Sequence, residues 1–376
     1  MNIQQETADK HPVFPNLNGL RFAGAIAVII YHCYTLNREI WGSFYYGYAF
    51  QKAWIFISKG HFGVSMFFIM SGFLITFLLL HESSSKGKIN LFNYLMRRFL
   101  RVWPLYFLIV GFGFFIFPHL PYGIETVHEF WRFALFLSNI DEIIVGARDS
   151  INFLTVTWTV SVEEQFYLAW GILIGLFTFR KKATYLLFFL AIIAASLLFR
   201  AFNLHDHRVL EYHTFSVMSD LATGGIIGLC AWKGLAQRWM ERLPRWSIVL
   251  IYLAGGALLL WEDLLFRGSL FIFERFIPGL FLAFIILEQI YAKHSFYKTD
   301  RIPGFFRGGK LTYGLYMYHC IYIYYWSIFF RSNGYTTEAF QFILFTLAVL
   351  VSTYLTSHIS YHYFEKPFLG LKKHFR

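Results

Sequence analysis

The sequence predicts an all-α, polytopic integral membrane protein of about ten transmembrane helices with both termini cytoplasmic. Three observations carry that prediction. Charged residues are only 15% of the 376, while 57% are hydrophobic and 22% aromatic; soluble domains carry roughly 25% charge. Apolar runs of about 20 residues, the length that crosses a hydrocarbon core at 1.5 Å per residue, recur along the whole chain. When alternate loops are assigned to opposite sides, most of the 33 Lys and Arg fall on the side shared by the two ends, and the acidic residues lean the other way. The positive-inside rule makes that side cytoplasmic. The net charge of +11 then belongs to the membrane orientation and calls for no nucleic acid.

The runs lie near 20–38, 60–81, 101–117, 158–179, 183–201, 214–232, 246–262, 273–291, 311–330 and 339–361. The first follows a polar stretch, MNIQQETADKHPVFPN, that lacks the basic, apolar, small-residue order of a cleavable signal, so the first helix is expected to be retained. Between the second and third runs, ESSSKGKINLFNYLMRRFL (82–100) reads as a polar linker feeding a basic amphipathic helix along the inner surface. The long stretch 118–157 is too aromatic for a floppy linker and is expected to fold over the outer mouth. About a dozen residues follow His362, so the chain reads as one membrane domain, 1–376, with no soluble domain behind it. Cys33, Cys230 and Cys320 are intramembrane, odd in number and without CxxC spacing, which gives small core residues in place of a disulfide framework or zinc site.

Ionisable side chains within spans are costly and mark a function or a buried pair. His32 lies eleven residues after Arg21, and eleven steps of 100° return to within about 20° of the start. The two share a helix face and can line one polar channel, with Arg21 at the cytoplasmic mouth. Arg97, Arg98 and Arg101 in RRFLRVWP are positive-inside anchors or, as guanidinium forks, an anion seat. In TWTVSVEEQFYLAW, adjacent Glu163 and Glu164 point about 100° apart. Ser161 and Glu164 have capping-box spacing, which leaves Glu163 as the residue expected to face inward. His319 sits among tyrosines in TYGLYMYHCIYIYY. The small residues Gly63, Ser65, Ser71 and Gly72 in GVSMFFIMSGFL favour close helix packing.

Six stretches, taken together and in order, resemble the membrane-bound acyltransferase-3 family: NGLRFAGAIAVIIYHC, with Arg21 and His32 at the family's spacing; GVSMFFIMSGFLIT; RRFLRVWPLY; WTVSVEEQFYL; YGLYMYH; and YHYFEKPF. Gly171 stands where a proline is frequent and Thr312 where a serine is frequent; neither departure removes a titratable group. The resemblance implies a ten-helix membrane domain in a bacterial-type inner membrane. It also implies transfer of an acyl group, usually acetyl, from cytoplasmic acetyl-CoA or another acyl-CoA to a hydroxyl of a sugar on an envelope polysaccharide, lipopolysaccharide or lipid-linked glycan. His32 would be the essential histidine with Arg21 its companion, and Glu163 the motif acid. The Arg98 and Arg101 pair, with Arg97, would belong to the donor side. The fused esterase-like domain of some relatives is missing from the sequence, so a second step would need another protein.

Such chemistry needs a base, donors for an oxyanion, and a phosphate seat. A neutral buried imidazole at His32 suits the base, with Glu163 orienting it in the manner of a triad acid; acylation of His32 as a relay is the alternative. His319, Tyr313, Glu164, Tyr167, His61 and Ser71 are candidates for acceptor or supporting positions. No metal is expected, since no ligand cluster is legible in the spacing. The rival reading is a transporter or flippase, disfavoured by the lack of paired broken helices in corresponding halves.

Overall fold

The computed structural model describes residues 14–37, 41, 54–146, 153–176 and 182–375. Ten long helices run through it: α1 (Pro15–Thr35), α2 (Phe62–Lys86), α3 (Leu91–Gly111), α4 (Thr157–Leu176), α5 (Lys182–Phe202), α6 (Thr214–Trp232), α7 (Arg245–Leu260), α8 (Phe276–Tyr291), α9 (Thr312–Ser332) and α10 (Ala339–Ser360). Each overlaps one of the ten apolar runs, though α3 begins ten residues before the third run; residues 38 and 177–179 of the first and fourth runs lie outside the described residues. No strand occurs among the described residues. By length and composition six helical stretches could cross a membrane, or seven if the helix Leu235–Arg242 and α7, bent 103° apart, form one span. The three that fall short are α1, α4 and α9. These are the helices whose apolar sequence is broken by Arg21, His32, Glu163, Glu164 and His319.

Local chemistry sets the helix ends. Pro15 opens α1, where its missing N–H costs nothing. Gly87, at φ 71°, ends α2, a backbone region favouring glycine. Asn90 caps α3 by accepting from the Asn93 amide, and Glu338 with Gln341 forms a capping box on α10. The basic stretch around Arg97 therefore does not lie along the surface as expected. It forms the first turns of α3, which continues into the bundle.

The tightest helix pair is α2 with α6. A Cβ on Gly72 would sit 2.0 Å from the Leu221 carbonyl oxygen, and one on Gly224 would sit 2.1 Å from that of Ile69. Two backbones thus meet without side chains between them, as small residues allow inside membranes. Ser65, from the same small-residue stretch, accepts from Arg275, which also donates to Asp220 at 2.9 Å. Asp220 is thereby a buried ion-pair partner, and Glu288 accepts from Tyr252 and Gln289.

The stretch 118–157 packs onto one end of the bundle through two short helices, Phe130–Ala134 and Ser138–Val145. Tyr106 donates to the Phe133 carbonyl and Gln165 to that of Phe136. Residues 147–152 lie outside the described residues.

In the second of these helices, burial pushes the Glu142 carboxyl up to about 7, and its Oε1 has no hydrogen-bond partner. A carboxyl with a raised folded-state value favours folding while protonated. That contribution is complete below the ordinary value of 4.5 and is lost as pH rises through about 7. Glu142→Gln, which never ionises, is expected to melt several degrees above the parent at pH 8 and level with it near pH 5. The difference corresponds to at most about 3 kcal/mol. Thermal unfolding in detergent at the two pH values checks this, and an equal offset at both would refute it.

Candidate active site

A cavity of about 320 Å³ opens between α1, α2, α3, α4, α9 and the segment after α10. Its lining holds five cations, Arg21, Arg98, Arg101, Lys310 and Lys372, against two carboxylates, Glu163 and Glu365. Arg21 lies in the second turn of α1, Arg98 and Arg101 near the middle of α3, Lys310 just before α9 and Lys372 in the segment after α10; the side of the bundle they mark is hereafter the basic face. Val64, Phe67, Phe68, Leu74, Val102 and Val160 line the apolar remainder, with Thr159 and Tyr316. A cationic mouth leading to an apolar interior suits a ligand with an anionic head and a thin, mostly apolar arm.

Glu163 is held beside the arginines by two hydroxyls. Ser71 donates to its Oε1 at 2.7 Å and Tyr167 to its Oε2 at 2.8 Å. The Arg98 guanidinium lies over the Tyr167 ring, 5.1 Å from its centroid, a cation–π arrangement. The carboxylate acts electrostatically on Arg21 and Arg101. Of the adjacent pair, Glu163 lines the cavity, whereas Glu164 accepts from the Trp103 indole at 2.9 Å and is not in the lining. Ser161 does not cap α4; it bonds Ser138 across to the neighbouring short helix.

His32 is held by a residue 287 positions away. Its Nδ1 lies 2.7 Å from Nε2 of His319. The two rings are parallel within 4° with centroids 5.1 Å apart, the separation of rings joined edge to edge through one N–H···N bond. His319 Nδ1 lies 2.6 Å from the Tyr316 carbonyl oxygen. That oxygen only accepts, so Nδ1 of His319 carries the proton. In the neutral ring Nε2 then has the lone pair. Nε2 therefore accepts from His32 Nδ1–H, and the lone pair of His32 is left on its own Nε2. One carbonyl, acting through His319, sets the tautomer a base requires. The partner expected from sequence, Glu163, is bonded to Ser71 and Tyr167 instead.

His32, His319 and Cys320 also bring three ligand-type atoms within 4.8 Å of one another. Two nitrogens on one tetrahedral zinc would stand about 3.3 Å apart, given Zn–N near 2.05 Å. The 2.7 Å separation is instead that of a hydrogen bond.

His32 does not line the cavity. Tyr316 does, with its ring 5.7 Å from that of His319 on the next helical turn and its hydroxyl accepting from Thr159 at 3.0 Å. The shared face of Arg21 and His32 thus runs from the cavity, at Arg21, past the Phe67 and Tyr316 rings to the histidine pair. Arg98, Arg101, Ser71, Tyr167 and Tyr313 line the cavity. Arg97 turns away, donating to Glu82 at 3.0 Å and to the Phe375 carbonyl at 2.7 Å. His61 lies towards the opposite end of the bundle, against Ser58, Glu262 and Tyr31. Sequence reasoning did not single out Lys310, Lys372 or Tyr316. Lys310 stands two residues before the TYGLYMYH stretch, so its position was a usable signal, whereas Lys372 in a basic tail resembles any membrane anchor.

A family model described as an acyltransferase domain matches residues 14–362. Among curated proteins, the O-acetyltransferase OatA of Staphylococcus aureus strain NCTC 8325 / PS 47 is 25% identical over 378 residues, covering 94% of this chain and 57% of the relative. OatA of strains COL and MRSA252 matches with the same figures. The chain thus spans little more than half the length of these relatives. No solved structure matches it.

Proposed function

The chain belongs to the acyltransferase family whose domain it matches over residues 14–362, and from that premise we propose that it is a multi-pass membrane O-acyltransferase. It takes an acyl group, acetyl in the first instance, from acyl-CoA and passes it to a hydroxyl of a sugar in a cell-envelope glycan. The observation that carries the reading is the cavity with five cations in its lining that ends against Tyr316, one turn from the histidine pair. The basic face is then cytoplasmic, in a bacterial inner membrane.

Arg98, Arg101, Lys310 and Lys372 hold the phosphates of the donor, and the apolar lining takes the pantetheine arm. Arg21, within the electrostatic reach of Glu163, donates to the thioester end. His32 Nε2 removes the proton from the acceptor hydroxyl. The alkoxide oxygen forms a bond to the thioester carbonyl, the C–S bond breaks, and the proton passes from His32 to the departing thiolate. His319 accepts from His32 throughout and stabilises the transient imidazolium. No step requires a metal.

Purified protein given acetyl-labelled acetyl-CoA and envelope glycan is expected to form alkali-labile, labelled ester. Acceptor movement across vesicles without ester would overturn the reading in favour of a transporter. Label retained on acid-quenched protein before acceptor is added would move His32 from base to acyl relay. Arg98→Gln is expected to raise the KM for acetyl-CoA about 10- to 100-fold, the worth of a charge-assisted hydrogen bond of about 1.5–3 kcal/mol. The acceptor KM should stay within about twofold; a change confined to the acceptor KM would contradict the donor assignment.

A further inference from the structure

One wall of the donor cavity comes from the segment that follows α10. It runs as three short helical pieces, Tyr361–Glu365, Lys366–Gly370 and Leu371–Phe375. Tyr361, Glu365, Leu369 and Lys372 line the cavity. Steps of four, four and three residues put them on one helix face, while Tyr363, Lys366, Leu371 and Lys373 on the other faces are exposed. The segment is a strap laid against the cavity.

The strap is tied at both ends. At the near end, Ser360 donates to Glu365 Oε1 at 3.2 Å and accepts from Tyr318 of α9 at 3.0 Å. At the far end, the Phe375 carbonyl accepts from Arg97 Nη1 at 2.7 Å, and the Phe375 ring lies 6.1 Å from that of Phe92. Arg97 is itself fixed. Its Nη2 donates at 3.0 Å to Oε2 of Glu82, a buried carboxylate in the last turns of α2 whose Oε1 accepts from the Asn90 amide at 3.2 Å. One planar guanidinium thus joins a carboxylate on α2 to a carbonyl on the strap, a reach that needs the arginine fork.

Between the ties stands Lys372, one helical turn before Phe375. Its ammonium makes no hydrogen bond or ion pair among the described residues. It shares the cavity with Arg21, Arg98, Arg101 and Lys310 against Glu163 and Glu365 alone. Like charges repel, so the lysine keeps its place only because the strap keeps it there. Arg97 does not line the cavity. Resting on the acyl-transfer reading above, we propose that Arg97 is a positioning residue of the donor site: it ties the strap to α2 and α3 and thereby holds Lys372 in the phosphate seat. Adjacent arginines on α3 then divide the work. Arg98 meets the phosphates directly, and Arg97 acts on them through Lys372.

Calorimetric titration of the purified protein with coenzyme A tests this. Lys372→Gln should weaken binding about tenfold and Arg97→Gln about fivefold. Because one acts through the other, the double variant should bind no more weakly than Lys372→Gln alone, whereas independent contributions would multiply to about 50-fold. In kinetics, Arg97→Gln should raise the acetyl-CoA KM about fivefold and leave kcat and the acceptor KM within about twofold. Acetyl-pantetheine, which carries no phosphate, should serve Arg97→Gln and the parent equally; general damage to α3 would slow both donors alike. Parental affinity in Arg97→Gln, a multiplicative double variant, or an equal loss with acetyl-pantetheine would overturn the proposal and leave acyl transfer intact. The expected order of affinities in a protein that forms no ester would keep the strap and remove the acyl-transfer reading instead.

Discussion

Replacing His32 by alanine is expected to lower acyl transfer about 10³-fold or more while acetyl-CoA binding stays within twofold. General-base removal alone is worth about 10²–10⁴, and His32 lies outside the donor cavity, so the donor loses no contact. The companion prediction isolates the tautomer argument. His319→Leu leaves His32 Nδ1 without an acceptor and lets the ring protonate on either nitrogen; kcat should fall about 100-fold with both KM values nearly unchanged. His319→Gln can offer an amide oxygen at a similar position and should recover about a tenth of parental kcat or more. A merely structural His319 would show no such order between the two variants, and equal losses in both would sink the positioning role. Steady-state kinetics over pH 6–9 on detergent-purified protein, with monodispersity checked first, provides the readout.

The second large effect is on folding. Gly72→Ala and Gly224→Ala should each lose most of the monodisperse protein in detergent. The atoms an added Cβ would meet are backbone, at 2.0 and 2.1 Å, and backbone cannot rotate aside. Overpacking a core costs about 1–3 kcal/mol when side chains can move; here α2 and α6 must separate, so the cost should reach or exceed the top of that range. Gly256 provides the contrast, since a Cβ there meets nothing within 4 Å. Gly256→Ala should be neutral or stabilise slightly through helix propensity. Size-exclusion profiles and melting temperatures of the three variants decide it; normal behaviour of Gly72→Ala would mean the helices are not held at this spacing.

The ten helices were legible because span length and apolar content are local properties of the chain. That only one of Glu163 and Glu164 would face the cavity was legible too, since neighbours on a helix point about 100° apart; the capping box expected to occupy Glu164 is absent, and the Trp103 indole holds that carboxylate instead. What holds His32 was not. The answer lies 287 residues away on α9, and no periodicity within α1 can announce it. A histidine among tyrosines reads as ordinary core, and only the Tyr316 carbonyl at its Nδ1 reveals its direction. Spacing paired Arg98 with Arg101, but what removes Arg97 from the cavity was hidden for a similar reason. Glu82 and the Phe375 carbonyl claim it, and both partners are supplied by tertiary structure.

The cavity at the basic face has an electrical consequence. Where a water-filled cavity enters a membrane protein, the transmembrane voltage no longer falls evenly across some 30 Å of hydrocarbon. It concentrates on the part that stays dry. Here the dry part begins at the Phe67, Phe68 and Tyr316 rings that line the cavity, and the histidine pair stands beyond them, one turn from Tyr316. A positive charge formed on His32 would sit where the voltage is steep, so the membrane potential is expected to act on any step that protonates it.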